Sequence, residues 1–145
     1  MNGRRIVMVA CLAAFSLVVS LSGCASPSVY QLQSGERSAG AEGEMTVTTD
    51  GNGNQVIDLQ VAHLPRPSQL SEQMAIYTVW IRPADGGQYY NVGRLRLADD
   101  RTGSLNFVTP FSAYDLLVTA EAKPTEMSPS DQVVLRREVA SSRNR

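Results

Sequence analysis

Four groups of residues in this chain have the chemistry to form a bond, move a proton or hold an ion. The first is the pair Cys11 and Cys24, because a thiolate is a ready nucleophile. The second is His63, the one histidine and so the natural candidate for general-base work near neutral pH. The third is Asp50-Gly51-Asn52-Gly53-Asn54-Gln55-Val56-Ile57-Asp58, whose oxygens at alternate positions suit a calcium ion. The fourth is neighbouring acids such as Asp99-Asp100, which a glycosidase would have to hold apart across a cleft.

Three of the four fail a requirement. His63 falls in phase with Ile57, Leu59 and Val61, which predicts a packed or hydrogen-bonded residue at a strand end. No Gly-x-Ser-x-Gly elbow accompanies it. Zinc would need several His or Cys ligands. The calcium pattern puts Gln55 where glycine is needed and Val61 where a bidentate acid is needed, and a hairpin turn explains its Gly and Asn residues without a metal. Asp99 and Asp100 are adjacent and should point apart into water. Arg136, Arg137, Arg143 and Arg145 read as scattered, solvated charge. The expectation is no catalytic residue, no cofactor and no metal, hence no enzyme.

Cys24 is different because of what precedes it. Arg4 and Arg5 form a positive n-region, Ile6 to Leu21 is almost wholly apolar, and small Ser22 and Gly23 follow. The apolar run is shorter than the roughly 20 residues that span a bilayer. Leu21-Ser22-Gly23-Cys24 resembles a bacterial lipobox, and the leader resembles lipoprotein signal peptides. The resemblance implies cleavage after Gly23, a diacylglycerol on the Cys24 sulfur and an acyl chain, such as palmitate, on the new amine. Two or three such chains, at about 0.8 kcal/mol per buried methylene, anchor a protein firmly. Ala25 and Ser26 follow Cys24, with no Asp there. By the same resemblance this implies passage to the outer membrane, with the domain facing the periplasm.

Loss of residues 1–23 removes Arg4 and Arg5 and no acid, leaving eleven basic and fourteen acidic residues. So mild a negative balance gives no field for nucleic acid. With Cys11 discarded and Cys24 lipidated, no thiol remains for a disulfide, although small exported domains commonly use them.

These features divide the chain into a signal peptide (1–23), a lipidated flexible linker rich in Ser and Gly (24–43), a folded domain (44–139) and a polar tail (140–145). In the folded part, short runs of Val, Ile, Thr, Tyr and Leu are punctuated by turn residues, with no helical period. Seven strands are predicted: 44–49, 56–64, 75–82, 89–97, 104–109, 114–121 and 132–139. The second alternates Ile57, Leu59 and Val61 with Asp58 and Gln60. The fourth alternates Leu95 and Leu97 with Arg94 and Arg96. The third, AIYTVWIR, is apolar on both faces and should be central. This pattern predicts an all-β fold, an immunoglobulin-like antiparallel sandwich, with Trp80 in its central core and Tyr114 as a candidate corner tyrosine.

The residues Tyr77-Thr78-Val79-Trp80, Pro83, Asp85-Gly86-Gly87, Val92-Gly93-Arg94-Leu95, Gly103, Leu117-Val118-Thr119-Ala120-Glu121, Pro124, Ser128-Pro129 and Val133-Val134-Leu135 resemble, in order, the extracytoplasmic C-terminal domain of anti-sigma-K factor proteins. That implies a β-sandwich outside the cytoplasm. Those proteins carry a sigma-binding segment and a spanning helix ahead of the sandwich, whereas this chain has a lipoprotein leader. The resemblance therefore bears on fold and not on regulation. The function expected is a membrane-anchored, non-catalytic binding or scaffolding domain, its partner an envelope protein or a glycan. The alternative is a periplasmic ligand-binding domain or a carboxylate- or metal-dependent enzyme. An edge strand open to a partner is a further route. Candidate surfaces are the loops Pro65–Gln73, Ala84–Gln88 with Tyr89 and Tyr90, and Lys123–Asp131.

Overall fold

The computed structural model describes residues 26–141; Cys11 and Cys24 lie outside them. Nine strands form among the described residues: β1 (Ser28–Gln31), β2 (Gln33–Ser34), β3 (Glu42–Thr49), β4 (Gln55–Ala62), β5 (Ile76–Pro83), β6 (Tyr90–Leu97), β7 (Gly103–Thr109), β8 (Tyr114–Glu121) and β9 (Val133–Val139). A short 3-10 turn occupies Glu36–Ser38, and a single helical turn, α1, spans Pro67–Leu70. Every pairing is antiparallel, in the order β1-β3-β4-β7-β6-β5-β8-β9-β2.

Only Leu32 separates β1 from β2, so the two ends of that order are one stretch of chain. The stretch pairs first with β3 and then with β9, and the sheet bends into a nearly closed barrel. The expected seven-strand, two-sheet arrangement therefore gives way to a nine-stranded one. The stretch expected as a flexible linker supplies the extra strands from Ser28 onward. Closure removes the open edges that two separate sheets would leave. At the crossing, Leu32 is buried and its N–H donates to the Gly43 carbonyl at 2.8 Å. Gly35 N–H donates to the Val134 carbonyl at 2.8 Å, and Ser38 Oγ donates to the same carbonyl at 2.6 Å. Gly35 is required here: a Cβ would lie 2.3 Å from the Val133 carbonyl oxygen.

Strict alternation builds the core. Met45 and Val47 of β3, Ile57, Leu59 and Val61 of β4, Tyr77, Val79 and Ile81 of β5, and Leu116, Val118 and Ala120 of β8 all point inward and are buried. Bulges at Val79/Trp80 and Val118/Thr119 help bend the strands. Tyr114 is fully buried, and its hydroxyl has no partner among the described residues, so it does not make the hydrogen bond of a corner tyrosine. Burial pushes its phenol well above the usual range.

Trp80 is buried but lies on the opposite face of β5 from this core, together with Thr78 and Arg82. Its Nε1 donates to Thr119 Oγ1 at 2.8 Å, and that hydroxyl donates to the Glu121 carboxylate. Glu121, itself 2 % exposed, also accepts from Ser130 N–H at 2.8 Å. These bonds tie the Lys123–Asp131 loop to the outside of the sheet. Arg82 pairs with Asp115, and its guanidinium lies over the Tyr89 ring, 4.8 Å from the centroid. Because β5 is apolar on both faces, alternation could not say which face met the main core.

The registers give the barrel two distinct ends. Ser28 pairs with Val47, Thr49 with Gln55, Gln55 with Thr109, and Tyr114 with both Pro83 and Val139. The chain therefore emerges from residue 27 at the end formed by the Asp50–Asn54 turn and the 84–89 and 110–113 loops. The other end carries Ala62 to Ile76, Leu97 to Gly103 and Glu121 to Val133.

Candidate functional site

At the end opposite Ser28, a groove of about 750 Å³ runs between the far half of β6 and the loop that leads into β5. Four arginines line it: Arg66, Arg94, Arg96 and Arg101, with Asp99 as the one acid. Tyr77, Ile76, Met74 and Leu97 supply apolar lining.

Each arginine is placed by a local rule. Leu95 is buried, so alternation throws Arg94 and Arg96 onto the outer face of β6. Two residues along a strand put them about 7 Å apart. Arg66 immediately precedes α1. Its N–H donates to Gln69 Oε1 at 2.8 Å, and its carbonyl accepts from Gln69 N–H at 2.8 Å. The same loop is pinned from below where Tyr77 Oη donates to the Pro65 carbonyl at 2.8 Å. Arg101 has a left-handed backbone, φ 64°, in the Ala98–Thr102 turn. Asp100 stabilises that turn by accepting from Thr102 N–H at 3.1 Å and from Thr102 Oγ1 at 2.7 Å. Those bonds hold its carboxyl below the usual range.

Among the described residues the ion pair is Arg82–Asp115, and none of the four groove arginines is paired. The chain as a whole carries a net charge of −1. The groove is therefore a local concentration of positive charge on a weakly negative molecule. Guanidinium groups do not exchange protons near neutral pH, but they bind carboxylate and phosphate oxygens in a planar, two-pronged way. The arrangement can hold an anion.

The residues expected to matter fall elsewhere. Asp50 accepts from Asn52 N–H at 2.8 Å, Asn54 N–H at 2.9 Å and Asn54 Nδ2 at 3.0 Å. Led by the Asn54 side chain, these bonds lower its pKa, and the would-be calcium loop is a self-capped turn. His63 lies just past β4 with φ 59° and is exposed, not packed in phase with Ile57, Leu59 and Val61. Asp99 faces the groove while Asp100 is spent on its turn. No group of three or more His, Cys, Asp or Glu side chains suited to a metal occurs among the described residues.

Of the three loops proposed as surfaces, Pro65–Gln73 contributes Arg66, Pro67 and Ser68 to the groove. Ala84–Gln88 lies at the other end, where Tyr90 packs on Phe111 with centroids 5.9 Å apart. Sequence reading missed the groove, and the available signal was Arg94-x-Arg96 on a strand followed by Arg101 just past the turn.

Compared with known proteins, the chain matches no family model, no curated protein and no solved structure. No helix among the described residues is long and apolar enough to cross a membrane.

Proposed function

We propose that this chain is a lipid-anchored binding domain of the bacterial envelope, held through Cys24 and presenting its arginine groove away from the anchoring membrane. The polarity of the barrel carries this reading. Cys24 is four residues from Ser28, the first residue of β1. Four fully extended residues reach at most about 14 Å, so the Ser28 end would lie against the bilayer.

Among the described residues, three of the four large exposed apolar side chains, Val29, Tyr90 and Val108, sit toward that end, where an interfacial environment suits them. The leader sequence favours the outer membrane, with the groove facing the periplasm. The antiparallel all-β order supports kinship with immunoglobulin-like and anti-sigma-K-type sandwiches, the N-terminal strands being added to close the barrel.

Replacing Cys24 with Ser tests the reading. The wild-type chain should sediment with membranes and carry two or three acyl chains by intact mass. The Cys24→Ser chain should appear in the soluble fraction. Equal membrane retention of both would refute the anchor.

A further inference from the structure

Resting on that reading, we infer that the groove binds a linear glycan bearing carboxylates. Three observations select this class. The charge is spread out: Arg94 and Arg96 stand about 7 Å apart along one strand, Arg66 reaches in from the facing loop, and Arg101 comes from the turn beyond. Such spacing matches charges repeated along an extended ligand better than one compact anion. The groove also has an apolar lining at the half-buried Met74, Ile76 and Leu97, which suits the C–H faces of sugar rings. It lies at the end away from Ser28. Headgroups of the anchoring bilayer are then out of reach, while polymer in the periplasmic space is not.

The contacts would be charge-assisted hydrogen bonds from guanidinium to carboxylate. The groove is open to water and lined by exposed arginines, so binding should weaken steeply with added salt.

The test uses the full-length chain purified from whole cells in a non-ionic detergent, with polygalacturonate as probe, dextran as the neutral control and pyrophosphate as the compact anion. The expected result is salt-sensitive binding of polygalacturonate and none of dextran. The Arg94→Ala/Arg96→Ala chain should lose about tenfold or more in affinity, the order expected for two charge-assisted contacts. Arg136→Ala removes a charge outside the groove and should stay within about twofold of wild type, as rim charges do. If the double variant melts early, Arg66→Ala, in a loop outside the sheet, replaces it with an expected loss of about threefold or more, the order for one such contact.

Binding of pyrophosphate alone, binding unaffected by the groove substitutions, or no binding by a folded chain would overturn the proposal. Membrane attachment is scored in the same preparation. An attached chain that ignores polygalacturonate refutes this ligand class and leaves the anchored-domain reading standing. An unlipidated chain that binds it through the groove does the reverse.

Discussion

Gly35→Ala separates two opposite views of the N-terminal segment by the sign of its effect. In a flexible linker the substitution leaves the folded state untouched and restricts the unfolded chain. Stability then stays level or rises by about 0.4–1 kcal/mol. In the barrel, the new Cβ would lie 2.3 Å from the Val133 carbonyl oxygen, which is backbone in a paired strand and cannot swing aside. The segment must move off β9. It then loses the Gly35 N–H bond and the Ser38 Oγ bond to the Val134 carbonyl, at about 1 kcal/mol each. It also loosens Leu32, whose full burial is worth about 2 kcal/mol. Local opening caps the total, so the expected cost is about 2–4 kcal/mol. For a domain of this size that is a drop of roughly 10 °C in melting temperature. Urea denaturation of residues 26–141 followed by Trp80 fluorescence measures it. Amide exchange at Gly35 and Leu32, whose N–H groups donate to the Val134 and Gly43 carbonyls, should accelerate in parallel. A variant at or above wild-type stability would refute the closed barrel and restore the linker.

The outer-face network offers a second test. Trp80→Ala should cost about 3–5 kcal/mol, read by chemical denaturation. Glu121→Ala should cost about 1–3 kcal/mol by stranding the Thr119 hydroxyl and the Ser130 N–H, and proteases should then cut within 123–131. Acid stability is a third. The folded pKa values of Asp50 and Asp100 are depressed by their turn hydrogen bonds from an ordinary 3.8. Their contribution is complete above that value and is lost as pH falls through the lower folded value. The Asp50→Asn/Asp100→Asn chain should therefore show a shallower loss of melting temperature than wild type as pH falls below 3.8. An unchanged acid limb would count against those turns.

Legibility in the sequence followed the range over which each signal acts. The β8 strand was read at its observed bounds, Tyr114–Glu121, because Leu116, Val118 and Ala120 alternate with residues of the other face. Asp50, Gly53 and Asn54 announced their own turn, since the bonds that hold it span four residues. In contrast, β1 and β2 are four and two residues long, too short for a period to show. Their partners are decided far away: Gln33 pairs with Arg136. The Ser and Gly residues that read as linker are there for a different reason. Gly35 lets backbone approach backbone, and Ser38 bonds into β9. Trp80, expected in the central core, is buried on the other face of β5, because period 2 assigns faces only when one face is polar. The groove was hidden for a related reason. Arg94 and Arg96 look like any solvent face of a strand until β6 is set beside the 62–76 loop that brings Arg66 to them.

Barrel closure also determines whether the groove can have a direction. A flexible linker of twenty residues has a root-mean-square reach of roughly 25 Å. On such a tether the domain would turn freely, and the groove would face the membrane as often as not. With the chain committed to β1 from Ser28, only residues 25–27 separate it from Cys24. The step from Cys24 to Ser28 extends at most about 14 Å, less than the length of one eight-residue strand, roughly 26 Å. On the proposed Cys24 anchor the domain then could not invert, because the connection is too short to carry its groove end round to the headgroups. On that proposed anchor, the same strand that closes the barrel would also orient it. Lengthening the 25–27 segment with Gly-Ser repeats should leave folding intact and relax that orientation. A thiol-reactive label on the Asn91→Cys variant, at the end proposed to face the membrane, should then lose its protection from a water-soluble quencher. Equal quenching with and without the insertion would mean that the short connection sets no orientation.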